Sequence, residues 1–456
     1  MKLFKFLLFK LFKFLLFKLS VCLVPLELKS VENEKILESF YDFQSTEKCI
    51  SLSKSRGESI QGVCVCNLQY CHQLNPKLPK VALNEALLFV TSRAGKRFDM
   101  DLLSIHEQGL LQNNQVEKVK IIPSIKHQSI IGFGGAFTDA AAINLYKLQS
   151  PLLRDQLLDS YFSKSGSEYS LGRVPIASTD FSESVYSYND NPGDLSQSQF
   201  SIQVDKSKKI PMILAALSKS VTPIALFASS WAPPVWMTKE NSTIDCIIDG
   251  DPGSPSDPLW QSYSLYLSNF FRDYLAQGIK FWAMTVQNEP VAQPKITGYI
   301  PGIHHFQSMR LTSDQEKLFI KNHLGPRMAQ DHPYLKIIAF DDQKGQLDTH
   351  HAPLDDPEAA KYIAGFGIHW YSNTDFILGN GLKNVRNHFE KYPEKFILAT
   401  EACEGFLPSL IGTGAGTALD DANKRWQRAE NYARDIIGDL DSNVSGWVNI
   451  SIFAII

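Results

Sequence analysis

The chain has 456 residues, 44% hydrophobic and 20% charged, with 45 basic and 48 acidic side chains and a formal net charge of −3. This is a globular composition, which excludes disorder as the main state, and the length allows several domains or one large barrel. Twenty-seven glycines and 23 prolines are near the usual level and exclude a collagen-like chain, and no basic excess beyond the extreme N-terminus points to nucleic acid.

Residues 2–17 repeat the unit KLFKFLLF twice, with lysines at 2, 5, 10, 13 and 18. No uncharged run inside it exceeds four residues, whereas a bilayer span needs ~20 apolar residues. With the short apolar run Leu19–Leu26 behind it, the segment reads as a secretory signal over residues 1–30, with a low-complexity artefact or an interfacial basic helix as the alternative. No transmembrane span is expected.

Seven cysteines follow the chain at 22, 49, 64, 66, 71, 246 and 403. Four of them crowd between Cys49 and Cys71 without the Cys-x2-Cys pairs of a zinc site, so two disulfides and an oxidising compartment are expected. Three connectivities are open; the pairing expected is Cys49–Cys64 with Cys66–Cys71. The acceptor patterns at Asn241, Asn443 and Asn449 agree with secretion. Residues 31–128 are thus a disulfide-bearing segment leading into short strands such as Ala86–Thr91 and Val119–Ile122, part of a small β-module.

From residue 129 to 456 the pattern changes. Eight short apolar runs recur: Ile130–Gly134, Ser170–Pro175, Ile224–Ala228, Phe281–Val286, Ile337–Phe340, Gly367–Trp370, Phe396–Ala399 and Gly446–Phe453. Between them lie helix-like stretches, among them Asp139–Leu148, Trp260–Gln277, Ser313–His323, Pro357–Ala364 and Ala422–Leu440. Parallel strands need long, usually helical crossovers, so eight such repeats predict an α/β fold of the (β/α)8 TIM-barrel type; periodicity alone leaves a doubly wound sheet open.

Active sites of such barrels lie at the C-terminal strand ends. There the fourth run ends in Gln287-Asn288-Glu289 and the seventh in Thr400-Glu401. One glutamate alone could be a solvated strand end. Two, on strands four and seven, suit glycosidic cleavage, in which one carboxyl protonates the leaving oxygen and the other faces an oxocarbenium-like carbon.

The segments Gly132–Asn144, Arg173–Ser182, Ser230–Met237, Phe281–Pro290, Asp341–Gln343, His369–Tyr371 and Glu401–Cys403 occur in the order found in glycoside hydrolase family 30. The chain resembles the acid glucosylceramidases of that family from about residue 45 to 447. The resemblance implies a retaining β-glucosidase that splits glucosylceramide into glucose and ceramide by double displacement. It implies Glu401 as nucleophile and Glu289 as acid/base, with Arg173, Asp180, Trp236, Asn288 and Tyr371 binding the substrate. Arg173 would keep the nucleophile ionised, Asn288 would meet the sugar 2-hydroxyl, and Asp180 and Trp236 would hold the ring. It also implies a lysosomal or secreted enzyme working at a membrane surface, with a saposin-type activator.

The resemblance also implies that His369, Trp370 and Tyr371 line the floor of the site, while read residue by residue His369 is more often a core histidine than a direct ligand, Asp139 a helix cap, Cys246 and Cys403 unpaired thiols, and Glu404 faces water. No strand-end cluster has metal-ligand spacing, and no cofactor is expected. The loop Ala292–Phe306 looks longer than the family's. After Gly446-Trp447 the family continues Asp-Trp-Asn, whereas this chain reads Val448-Asn449-Ile450 and ends at Ile456. The expectation is a barrel truncated after strand eight, with the C-terminal β-module missing and one pocket wall open or rebuilt. The other readings are a catalytically impaired paralogue that binds lipid, and a family 30 hydrolase of other β-glycoside specificity.

Overall fold

The computed structural model describes residues 80–94, 96, 98–105, 122–291, 306–371, 381–403 and 422–450. The proposed signal, the four N-terminal cysteines and their pairing, Val119–Lys120–Ile121, Glu404 and most of the Ala292–Phe306 loop lie outside the described residues.

The chain divides into two compact units. The smaller gathers the described residues up to His127 with Ser150–Glu168 and the described part of the stretch that ends at Arg434. It carries an antiparallel pair, β1 (Glu85–Val90) and β2 (Asp99–Ser104), in register from Glu85 opposite Ser104 to Val90 opposite Asp99. Phe89 stacks on Phe98 at the turn end, with ring centroids 4.6 Å apart. The expected strand Ala86–Thr91 is β1.

The larger unit is a closed barrel of eight parallel strands. These are β3 (Gly132–Ala136), β4 (Leu171–Ile176), β5 (Ala225–Ser230), β6 (Ala283–Thr285), β7 (Lys336–Gln343), β8 (Ile363–His369), β9 (Phe396–Glu401) and β10 (Val444–Asn449). Each pairs with the next, and β10 closes on β3. They are the eight expected runs, and the fold is the TIM barrel that the pattern predicts. Such strands read as apolar runs because interior side chains meet one another and exterior ones meet helices.

The helices include α1 (Asp139–Lys147), α2 (Pro151–Phe162), α3 (Lys209–Lys219), α4 (Pro258–Ala276), α5 (Ser313–Phe319), α6 (Gly381–Lys391) and α7 (Ala422–Asp441). The cap of α1 is Thr138, whose hydroxyl accepts the Ala141 N–H; Asp139 is the first helical residue instead of the cap. The stretch Pro357–Ala364 is helical only over Pro357–Ala360, because Ile363 already belongs to β8. No helix among the described residues is long and apolar enough to cross a membrane.

Inside the barrel, Leu171, Phe227, Ala283, Ile338, Leu398 and Val448 form one apolar layer. Strand side chains alternate, so the next inward position is two residues on. That step lands on Arg173, Ser229, Thr285 and Thr400, a polar layer stacked on the apolar one. On β7 the rule would place Phe340 inside. A bulge prevents it: the β7–β8 register shifts between Phe340 and Asp342, and Phe340 and Asp341 take φ of 73° and 57°. Phe340 instead packs against Phe366 and His350, and Asp341 turns inward. The N–H that Phe340 withdraws from the ladder donates to Glu316 on α5, a wholly buried carboxylate that also meets His350. Gly367 on β8 completes the fit. A Cβ there would lie 2.9 Å from the Asp341 carboxylate.

Just beyond β7, Lys344 is fully buried and donates to Asp435 and Asp439 of α7, each at 2.6 Å. Asp435 also accepts the indole N–H of Trp447 on β10, at 2.7 Å. Removing the lysine strands two buried carboxylates. Lys344→Met is expected to cost about 3–5 kcal/mol in urea unfolding, the usual penalty for breaking a buried pair. Lys317→Met, which removes the surface pair with Asp314, is expected to cost about 0–1 kcal/mol.

Candidate active site

Four strands bring their ends together around Arg173. Its side chain is completely buried, and every nitrogen is used. Nε donates to Ser229 at 3.0 Å, Nη2 to Asn288 and to Asp341 at 2.7 Å each, and Nη1 to Glu401. The guanidinium also lies 4.8 Å from the centroid of the Trp231 ring. Burial would lower the arginine's proton affinity. Asp341 and Glu401 outweigh it and raise it above its ordinary value.

Asp341 is the second junction. One oxygen takes Arg173 and, at 3.3 Å, Ser229; the other takes Thr400 at 2.5 Å and His369 Nε2 at 3.1 Å. Burial alone would raise its carboxyl, yet Arg173, His369 and Thr400 hold it well below the usual carboxylate range. The other nitrogen of His369, Nδ1, meets Glu289 at 2.9 Å and lies 3.9 Å from Glu401. Burial would lower this imidazole, but Glu401, Asp341 and Glu289 push it up to about 10. It is therefore an imidazolium at neutral pH, with Nε2 donating to the Asp341 carboxylate and Nδ1 to the Glu289 carboxyl group.

Glu289 follows β6 in a left-handed conformation, φ 44°. Its N–H donates to the Asp341 carbonyl at 3.0 Å, and the Asn288 N–H to the Ser230 carbonyl at 2.9 Å. These bonds fix a strained turn of the kind that collects at functional sites. The Glu289 carboxylate accepts from His369 and, at 2.7 Å, from Gln343 Nε2. Behind it the buried Asp342 accepts the Val291 and Gln343 N–H groups. Burial and the charge of Glu289 raise Asp342 above its ordinary value. Glu401, at the tip of β9, accepts Arg173 on one oxygen and the Tyr371 hydroxyl, at 2.8 Å, on the other. Burial and the Glu401 charge keep Tyr371 protonated far above its ordinary range, so it remains a donor.

Of the residues singled out from sequence, Arg173, Asn288, Glu289, Tyr371 and Glu401 come together in one hydrogen-bonded set. Asp180 is open to water at the mouth yet crowded by surrounding protein. That crowding, with Glu401 and Glu289, pushes it up to about 8. Trp236 stands in a short turn and gives its indole N–H to the Asn189 carbonyl at 2.9 Å. The tryptophan beside the charges is Trp231. His369, which the resemblance put at the floor of the site but which reads by itself as a core histidine, bridges Glu289 and Asp341. Asp341 and Gln343 were visible only as a polar run, Asp341-Asp342-Gln343, ending the fifth barrel strand. Cys246 is buried and in no disulfide.

Glu289, His369 and Glu401 offer atoms within 4.8 Å of one another, a span that could hold a metal. The charges are already balanced by protein, however: Arg173 meets Glu401 and Asp341, and the imidazolium meets Asp341. The set fits proton transfer better than cation binding.

Residues 130–454 match the glycosyl hydrolase family 30 TIM-barrel domain. The chain is 38% identical over 396 residues to the lysosomal acid glucosylceramidase of Mus musculus, covering 85% of this chain and 71% of that protein. It is 37% identical over 421 residues to putative glucosylceramidase 4 of Caenorhabditis elegans, covering 91% and 75%. Among solved structures it resembles SrfJ from Salmonella typhimurium, with a TM-score of 0.66 and 27% identity over 80% of this chain and 74% of that one.

The elevated His369 has a testable sign. Its folded value of about 10 lies above the ordinary 6.5. Its stabilising contribution is therefore complete below pH 6.5 and is lost as pH rises toward 10. The ring nitrogens of His369, followed by 15N NMR, are expected to titrate near pH 10, and the extra alkaline loss of stability should vanish in His369→Gln.

Proposed function

The chain belongs to glycosyl hydrolase family 30 and is a glycoside hydrolase, and on that premise we propose that it is a retaining β-glucosidase acting on glucosylceramide. The observation that carries the mechanism is the carboxylate gap. An oxygen of Glu289 and one of Glu401 lie within 4.8 Å. Retaining enzymes space the pair about 5–5.5 Å apart so that one can attack carbon, whereas inverting ones leave about 6.5–9.5 Å for a water.

In this reading Glu401 attacks the anomeric carbon while Glu289 protonates the leaving oxygen. Arg173 and Tyr371 orient the two oxygens of Glu401, so one lobe faces the sugar. Glu289 becomes negative as it gives up its proton, and the imidazolium of His369 already stands 2.9 Å away. That interaction strengthens as the reaction proceeds, which is the form of binding that accelerates a step. Glu289 then takes a proton from water, which attacks the glycosyl–Glu401 ester and releases glucose with its configuration kept. Asn288, held by Arg173, would meet the 2-hydroxyl, and Asp180 would take hydroxyls at the mouth. Trp236 would act from its turn as part of the wall.

The glucosylceramide assignment rests on the mouse and nematode relatives, whose names state that substrate. A lipid substrate implies work at a membrane surface, a lysosomal or secreted location, and room for a saposin-type activator.

Glu289→Gln is expected to lose about 10²–10⁴-fold in kcat, the range of one general acid–base group. Glu401→Gln should lose at least as much, each with an unchanged near-UV circular dichroism spectrum. Near-normal turnover in either variant would refute the roles. A cyclitol epoxide should label Glu401, and NMR should show β-glucose as the first product. Hydrolysis of xylan in place of glucosylceramide would overturn the substrate.

A further inference from the structure

Glu316 of α5 is a wholly buried carboxylate, and the chemistry proposed above makes no use of it. Among the described residues it meets no lysine or arginine. Its Oε2 accepts the Nε2–H of His350, which is buried too. Its Oε1 accepts the Phe340 N–H at 2.9 Å. Burying a carboxylate is costly unless its bonds return free energy, so the placement calls for a cause.

In a regular β7 the Phe340 N–H would stay in the ladder, and alternation would point Phe340 into the barrel. Instead Phe340 and Asp341 take φ of 73° and 57°, and the pairing with β8 shifts between Phe340 and Asp342. Two left-handed residues in succession persist only where the surroundings over-determine them. Glu316 supplies the hydrogen-bond acceptor. His350 adds a ring contact with Phe340, the centroids 5.1 Å apart. Both holders are themselves tied down. A capping box between Thr312 and Gln315 starts α5, and the Ser313 hydroxyl accepts the Ala352 N–H, two residues past His350, at 3.0 Å. The clamp is thus built from a helix and a loop outside the barrel strands.

The bulge reaches both proposed catalytic carboxyls. The Asp341 side chain meets Arg173, which donates to Glu401. It also meets His369, whose other nitrogen donates to Glu289. The Asp341 carbonyl accepts the Glu289 N–H at 3.0 Å. A rotation at residues 340 and 341 therefore displaces Glu401 through one chain of bonds and Glu289 through two.

We propose that Glu316 is a positioning residue for the catalytic centre: its Oε1, by holding the Phe340 N–H out of the strand ladder, keeps Asp341 turned inward and so sets the places of Glu289 and Glu401. His350 orients the carboxylate for that task. Glu316 touches no substrate and acts only through the bulge. This role presupposes the assignment of Glu289 and Glu401 as acid and nucleophile.

The test separates the acceptor from the charge. Glu316→Gln keeps an oxygen for the Phe340 N–H and removes the charge, whereas Glu316→Leu removes both. In Glu316→Leu, kcat on glucosylceramide is expected to fall about 10²-fold, the size of loss when reacting groups shift by about 1 Å, with KM close to wild type. Glu316→Gln should retain most of the wild-type kcat. A second readout needs no turnover. Burial opposes the charge of His369, and Glu401, Asp341 and Glu289 outweigh it, pushing the ring up to about 10. With Asp341 turned away, the 15N titration of His369 in Glu316→Leu should move down toward the ordinary 6.5, while in Glu316→Gln it stays near 10. Wild-type kcat or an unmoved His369 titration in Glu316→Leu would overturn the inference, as would equal losses in the two variants. Should Glu316→Leu not fold, Glu316→Asp keeps the charge and draws the acceptor back by one methylene. It is expected to lose about tenfold in kcat, and an unchanged kcat there overturns the inference. Should the wild-type protein hydrolyse no β-glucoside, the glucosidase reading falls, and the His369 titration still decides whether Glu316 holds Asp341 in place.

Discussion

A buried guanidinium organises this site. Arg173 has no access to water, so its charge must be met by protein. Asp341 and Glu401 meet it, with Asn288 and Ser229 taking its remaining donors. Those four partners come from four different barrel strands or their ends. The single cation therefore fixes their relative positions and sets the orientation of the proposed nucleophile. Replacing it by lysine would keep the charge and lose the fork that makes four bonds at once.

Asp341 extends that order to the opposite carboxylate. It holds Arg173 on one side and His369 on the other, and His369 holds Glu289. Two cations thus sit among three acids, and each acid has its own environment. Separation of environments lets chemically identical carboxyls take different roles in one pocket. The position of Asp341 depends in turn on backbone strain. Two left-handed residues in succession are costly without glycine, and the cost is offset by Glu316 taking the displaced Phe340 N–H and by the bonds that Asp341 gains.

The barrel was legible because its strands are buried on both faces, so eight apolar runs stand out from polar connections. The two glutamates were legible because a carboxyl directly after such a run has few structural uses. Where the reading failed, a local pattern competed with a distant contact. The Pro357–Ala364 stretch looks helical by composition, but pairing with β7 and β9 draws Ile363 onward into a strand. Asp139 has a capping residue type, yet Thr138 one position earlier holds the cap.

The sequence by itself determined the order of strands, the family to which the motifs belong, and the pair of acidic residues at strand ends, because each is written in residues close together in the chain. Only the tertiary structure decided that Asp341 faces inward, that His369 is a bridging imidazolium, and that Trp231 stands over the arginine while Trp236 turns to Asn189. The reason is physical. Alternation with period two puts Phe340 inside, and only a bulge, supported by a glutamate from another element, reverses it. The charge of His369 is likewise set by partners 28 and 80 residues away in the chain, and no local pattern contains that information.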